Sequence, residues 1–164
     1  MAGTPMGAQL AYTVLLEDFR APPADDFEQV VLRDADEARS FLKPYEDELK
    51  DRSLPLLGAP TDTLVAAHPL LEVDYEESLV VGVYVGARPN ISYTMRIDSV
   101  ALDAGRVRVR ATETGAAQGG TAVTYPARFV ALRKTDVGDR AIEVALRRVC
   151  EQSPCVWEAG YRDE

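Results

Sequence analysis

The sequence has few of the residues that catalytic and metal sites most often use. Its 164 residues include one histidine and two cysteines. His68 stands beside Pro69, far along the chain from both cysteines, so the spacing indicates neither a zinc site nor a Ser–His–acid triad. The P-loop, G-x-S-x-G and G-x-G-x-x-G motifs are absent as well. We therefore expect a protein that is not an enzyme and has no metal or cofactor. Acidic clusters such as Asp34, Asp36 and Glu37 leave a small metal-dependent enzyme as a less favoured alternative.

Long apolar runs are missing too. No run approaches the roughly 20 apolar residues of a membrane-spanning helix, and the N-terminus lacks the basic start of a signal peptide. We therefore expect a cytoplasmic chain without membrane contact.

The net charge is −9, and residues 1–80 alone hold 17 acidic and 6 basic residues. Because nucleic-acid phosphates repel such a chain, we expect no nucleic acid among its partners.

Apolar and polar residues alternate along most of the chain, which is the pattern of β-strands. Residues 1–8 have the composition of a flexible tail, and residues 9–164 that of one domain. The expected strands cover 10–19, 27–34, 79–85, 92–100, 106–113, 121–134 and 141–149, and a short strand is expected at 64–67. For 141–149 a helix is the alternative. The run 79–85 is apolar at nearly every position, so we expect it to be a central strand covered on both faces.

The segment 106–113 has the most regular alternation. Three apolar side chains face one way and three arginines the other: Val107, Val109 and Ala111 against Arg106, Arg108 and Arg110. The arginines could bind an acidic partner or phosphates. Alternatively, they form a solvent-exposed stripe that protects the sheet from edge aggregation. The net charge of −9 favours the stripe.

One helix is expected after the second strand. Asp34 is placed to cap it, and Glu37 stands in the capping-box position three residues later. Pro44 should end or kink the helix near Lys43, which leaves about two turns and a further helical turn. The fold class is thus mainly β (α+β): an antiparallel β-sandwich or barrel-like sheet of about six or seven strands, with one short helix packed on it.

Cys150 and Cys155 have the spacing C-x4-C. A disulfide between them would close a short loop. Spacing alone leaves their redox state open.

The order of several segments resembles a known family. "VDYEESLVVGVYV" starts a very apolar strand, the loop "RPNISY" follows it, and "VTYPARF" comes later. Over about residues 29–135 this order resembles the C-terminal domain of the protease complex subunit PrcB family. The resemblance implies a non-enzymatic, protease-associated accessory subunit that binds a protein partner, and it implies that relatives are often exported.

The loop after the apolar strand is the candidate contact surface. From the residues alone we expect a hairpin or bulged turn there, because a proline removes a backbone donor. The resemblance adds partner binding by Arg88, Pro89, Asn90, Tyr93 and Tyr125. Isoleucine and serine replace the two glycines of the family's "PTGGY" loop. The loop is also similar to one in chagasin-type inhibitors, so a protease inhibitor is the alternative function.

Overall fold

The structure is a computed structural model that describes residues 8–16, 27–51, 69–119 and 123–158. Seven strands within these ranges form two sheets. The strands are β1 (Tyr12–Leu16), β2 (Glu28–Leu32), β3 (Ser78–Tyr84), β4 (Thr94–Asp103), β5 (Arg106–Ala116), β6 (Ala127–Arg133) and β7 (Ile142–Gln152). The first sheet has the order β1-β6-β3-β2 and the second the order β4-β5-β7. The predicted mainly β fold is confirmed, as two facing sheets and not as a closed barrel of these strands.

The main core lies between the two sheets. Alternate residues of each strand point into it, among them Val81 and Val130 from the first sheet and Val107 and Val109 from the second. Strand β3 pairs with β2 on one side and with β6 on the other, and its five middle residues are all buried. It is therefore the central, doubly covered strand that its apolar sequence predicted.

A helix, α1 (Ala35–Asp51), covers the outer face of the first sheet. Ala38 and Leu42 are completely buried there, in a cluster with Val80 and Phe129. The predicted cap is confirmed, because the backbone N–H of Glu37 donates to the Asp34 carboxylate across 2.8 Å. No helix of the described residues is both long and apolar enough to cross a membrane.

The prediction that Pro44 limits the first helical piece to about two turns was wrong. Helix α1 continues through Pro44 for another two turns, so it is not short. A proline removes one backbone hydrogen bond and strains the preceding turn. The packing of Ala38 and Leu42 on the sheet adds stability that the local sequence does not reveal.

One strand pair departs from the antiparallel expectation. After β6 the chain turns through α2 (Lys134–Val137) and returns to the second sheet as β7. Strand β7 then pairs with β5 in parallel, and Val109 lies opposite Val144. The last segment is thus the predicted strand and not the alternative helix. The proposed strand at 64–67, residues 1–7 of the proposed tail and His68 lie outside the described residues.

Candidate functional site

The loop "GARPNISY" connects the two sheets. Strand β3 belongs to the first sheet and β4 to the second, so the chain crosses the sandwich here. Of the two expected forms, the hairpin was wrong, because a hairpin would pair these two strands with each other. The chain does turn at residues 91–92 before it enters β4. Arg88 instead forms two backbone hydrogen bonds with Thr124, of 2.7 and 3.0 Å, in the segment that enters β6. This segment contains Tyr125, which is half-buried.

A buried ion pair holds the start of the crossover. The guanidinium of Arg88 donates to both carboxylate oxygens of Glu113, from Nε across 2.7 Å and from Nη2 across 3.1 Å. Arg88 is 7% exposed and Glu113 is 0% exposed. Arg148 of β7 adds a third contact, with Nε 3.3 Å from the same carboxylate. Two cations thus flank one buried anion, and the bidentate geometry fixes the direction of the Arg88 side chain.

Asn90 ties the middle of the crossover to the end of β5. Its side-chain amide donates to the carbonyl of Ala116 across 3.1 Å, and its side-chain oxygen accepts from the backbone N–H of Ser92 across 2.9 Å. The N–H of Ala116 donates in turn to the Ser92 hydroxyl across 3.1 Å. These bonds hold the last residues of β5 against the crossover.

Tyr93 ends the crossover inside the protein. Its ring makes an edge-to-face contact with Trp157, with the ring centroids 5.7 Å apart. Its hydroxyl accepts a hydrogen bond of 3.1 Å from the backbone N–H of Val156. Gly115 leaves room for the Tyr93 ring, because a Cβ at this position would lie 2.4 Å from a ring carbon. Tyr93 thus joins the crossover to the C-terminal segment.

A disulfide closes that C-terminal segment. Cys150 and Cys155 are bonded, with their Cα atoms 5.9 Å apart, whereas their spacing alone had left the redox state open. Among the described residues, these two sulfurs and the carboxylate of Glu158 form the one group with metal-ligand proximity. The disulfide occupies both sulfurs, and Glu158 accepts a hydrogen bond from the N–H of Cys155 across 2.8 Å. In this oxidised form the cluster offers no thiolate to a metal.

The predicted contact residues lie together, but their side chains differ in exposure. Arg88, Asn90 and Tyr93 are buried and bonded within the protein. Pro89 is exposed on the outer side of the crossover. Ile91, which the sequence did not single out, is 61% exposed. The buried side chains set the loop's shape, and a partner would touch the exposed ones.

Three residues of this region were missed by the sequence reasoning: Glu113, Arg148 and Trp157. For the two charged ones a signal was present. Residues 107, 109 and 111 point inward on β5, and 113 continues that phase. Arg148 likewise continues the inward phase of Ile142, Val144 and Leu146 on β7, opposite Glu113. Charges at inward positions of neighbouring strands predict a buried pair.

Two of the three arginines that alternate outward on β5 form ion pairs on the outer face of the second sheet. Arg106 contacts Glu143 at 2.5 Å. Arg108 contacts both Glu143, at 3.3 Å, and Asp103, at 3.1 Å. The hydrogen bond from Arg106 and the positive charges of Arg108 and Arg106 lower the pKa of Glu143, although desolvation opposes them. This part of the stripe is thus neutralised within the protein.

Comparisons of the chain with family models, with curated protein sequences and with solved structures found no match. The resemblance to the PrcB family therefore stays a prediction that depends on the quoted segments alone.

Proposed function

We propose that the protein is a binding module that contacts another protein through the crossover between its two sheets. The observation that carries the proposal is a contrast within residues 86–93. Polar and aromatic side chains are buried beneath the loop and hold it through bonds to three other segments, while Pro89 and Ile91 point outward.

An apolar tip on a fixed backbone is suited to binding. Association costs the conformational freedom of whatever must be ordered, and a loop that is already ordered avoids most of that cost. Val123, on the segment that pairs with Arg88, is 56% exposed and extends the apolar surface. Exposed apolar groups that gather at one place mark interaction sites more often than isolated ones do.

The PrcB-like order of segments supports a protease as the partner, with this chain as an accessory subunit or modulator. The same loop also supports the inhibitor alternative, because an ordered loop with exposed apolar side chains can enter a cleft at a low entropic cost. The disulfide supports an oxidising compartment, where such bonds persist. A cytoplasmic location stays a prediction from the sequence alone.

The test uses surface substitutions that spare the buried contacts. Ile91→Asp and Val123→Asp should abolish capture of a protein partner from an extract of the source cell, identified by mass spectrometry. Val14→Asp is the matched control, because Val14 is also an exposed valine, at 44%, but lies on β1. If the loop variants capture the same partner as the wild-type chain, the crossover is not the interface.

A second assay separates the accessory subunit from the inhibitor. The purified chain is added at micromolar concentration to a panel of serine and cysteine proteases. Inhibition that Ile91→Asp removes would establish the inhibitor function. Binding without inhibition, or with higher activity, would favour the accessory subunit.

A further inference from the structure

A groove lies on the outer face of the second sheet, away from the buried ion pair. Its volume is ≈ 510 Å³, which is within the range of small-molecule sites. Ser99 of β4 and Ala145 of β7 are short side chains on either side of Arg110, with which both pair in register. Asp98 and Arg147 complete the polar lining. Because the side chains of Ser99 and Ala145 are short, open space is left beside the long side chain of Arg110.

The two arginines of this groove differ from the others on the same face. Arg106 and Arg108 are neutralised by carboxylates, as described above. Arg110 and Arg147 form no ion pair with any residue that the structure describes. Both are exposed, so their guanidinium donors are available to a ligand.

Asp98 does not neutralise the groove. Arg96 donates to its carboxylate across 2.6 Å, and the hydroxyl of the buried Thr112 also donates to it. Partial burial disfavours its charge, but the hydrogen bonds from Thr112 and Arg96 and the charges of Arg96 and Arg147 outweigh that effect and lower its pKa. Asp98 is thus an ionised carboxylate that is hydrogen-bonded to Arg96 and Thr112. It attracts Arg147 but forms an ion pair with neither Arg147 nor Arg110.

We propose that this groove binds a small ligand that carries an oxyanion, a phosphate or a carboxylate, between Arg110 and Arg147. The two residues stand on neighbouring strands, and Arg147 is two positions beyond Ala145, the partner of Arg110. Strand spacing and rise place their Cα atoms roughly 8 Å apart. Long side chains at that separation can converge on one oxyanion, for which the planar guanidinium is the best-suited donor. The inference does not depend on the proposed protein-binding function.

The experiment is a titration of the full chain followed by amide chemical shifts, with pyrophosphate in one arm and citrate in the other, at about 0.15 M salt. We expect saturable shifts at residues 98–99, 110 and 145–147 with at least one of the two anions. Saturation by pyrophosphate alone identifies a phosphate ligand, and saturation by citrate alone identifies a carboxylate. Arg110→Gln and Arg147→Gln should each weaken binding at least about tenfold, because each removes a charge-assisted contact.

Arg106→Gln is the matched control. It removes the same charge from the same strand and the same face, but from an arginine that Glu143 already neutralises. Binding within about twofold of the wild-type chain is expected there. The proposal is overturned if neither anion saturates below about 10 mM. Equal weakening by all three substitutions also overturns it, because net charge alone would then explain the binding.

Discussion

Arg88 and Glu113 are 25 residues apart in the sequence and form a bidentate ion pair inside the protein. The pair joins the crossover loop to β5, the middle strand of the second sheet. Because Arg148 contacts the same carboxylate, Glu113 lies at the meeting point of the crossover, β5 and β7. The loop proposed to contact a partner is thus anchored by a charge that no partner can reach.

Glu113→Gln should destabilise the protein strongly. The substitution keeps the shape of the side chain but leaves Arg88 buried without a counter-charge, which costs about 3–5 kcal/mol. Urea unfolding followed by circular dichroism measures the change. Glu143→Gln is the control, because it removes a carboxylate with two arginine contacts at the surface, and it should have little effect. Equal effects from the two substitutions would show that the buried pair has no special role.

Gly115→Ala should destabilise the fold by about 1–3 kcal/mol, as overpacked sites do. The new Cβ would lie 2.4 Å from the Tyr93 ring and 3.0 Å from Trp157, so the aromatic pair must move. Thermal unfolding measures the loss. Ala117→Ser, two residues on at an exposed position, should leave the melting temperature nearly unchanged. A stable Gly115→Ala variant would mean that the contact with Tyr93 is not close.

Replacing both cysteines by serine should lower stability and change the environment of Trp157. A bridge with a sequence separation of 5 restricts the unfolded chain by about 2 kcal/mol in the loop-entropy model. Trp157 is the one tryptophan of the chain, and it contacts Tyr93 and Arg148. Its fluorescence therefore reports on the C-terminal segment without a label. An unchanged emission spectrum in the cysteine-free variant would show that the disulfide does not hold this segment against the crossover.

The phenol of Tyr75 should lose its proton at a higher pH than an ordinary tyrosine does. Its hydroxyl donates to the carbonyl of Leu70 across 2.6 Å, and burial, with the nearby carboxylates of Asp34 and Glu37, raises its pKa to about 12. Phenolate absorbance of the wild-type chain minus that of Tyr75→Phe isolates this one group. The difference curve should be centred near pH 12, and a centre near the ordinary value of 10.0 would contradict the burial.

The raised pKa also sets a stability window. Because the folded protein favours the neutral phenol, the stabilisation by Tyr75 is complete below pH 10 and is lost as the pH rises through about 12. Denaturant unfolding in this range should show a smaller decline for Tyr75→Phe than for the wild-type chain. The same decline in both would assign the loss to other groups.

Local patterns were sufficient for most of the strands. The alternation along 106–113 predicted which side chains of β5 point inward, and the apolar run at 79–85 predicted a central strand. Both patterns result directly from the two-residue repeat of a strand. Asp34 predicted the start of the helix, because an N-cap is also a contact between residues close together in the chain.

Local patterns failed where distant segments decide the structure. Pro44 predicted an end or a kink near Lys43, but the helix runs on to Asp51. Pro89 predicted a hairpin or bulged turn, and the hairpin does not form because the chain crosses between the sheets. A short stretch of sequence shows neither which sheet a strand will join nor whether a helix will pack on a sheet. The sequence also located the redirection of the chain after the apolar strand, but the exposure of the side chains in that loop was not evident.

Strand periodicity, the start of the helix and the spacing that allows Cys150 to meet Cys155 can all be derived from the amino-acid sequence, because each depends on residues close together in the chain. The tertiary structure decided that Arg88 and Tyr93 are buried supports and that Ile91 is exposed. It also decided which arginines of the outer face have a counter-charge. Burial and ion pairing depend on strand neighbours that are tens of residues away, and strand order is a property of the whole fold.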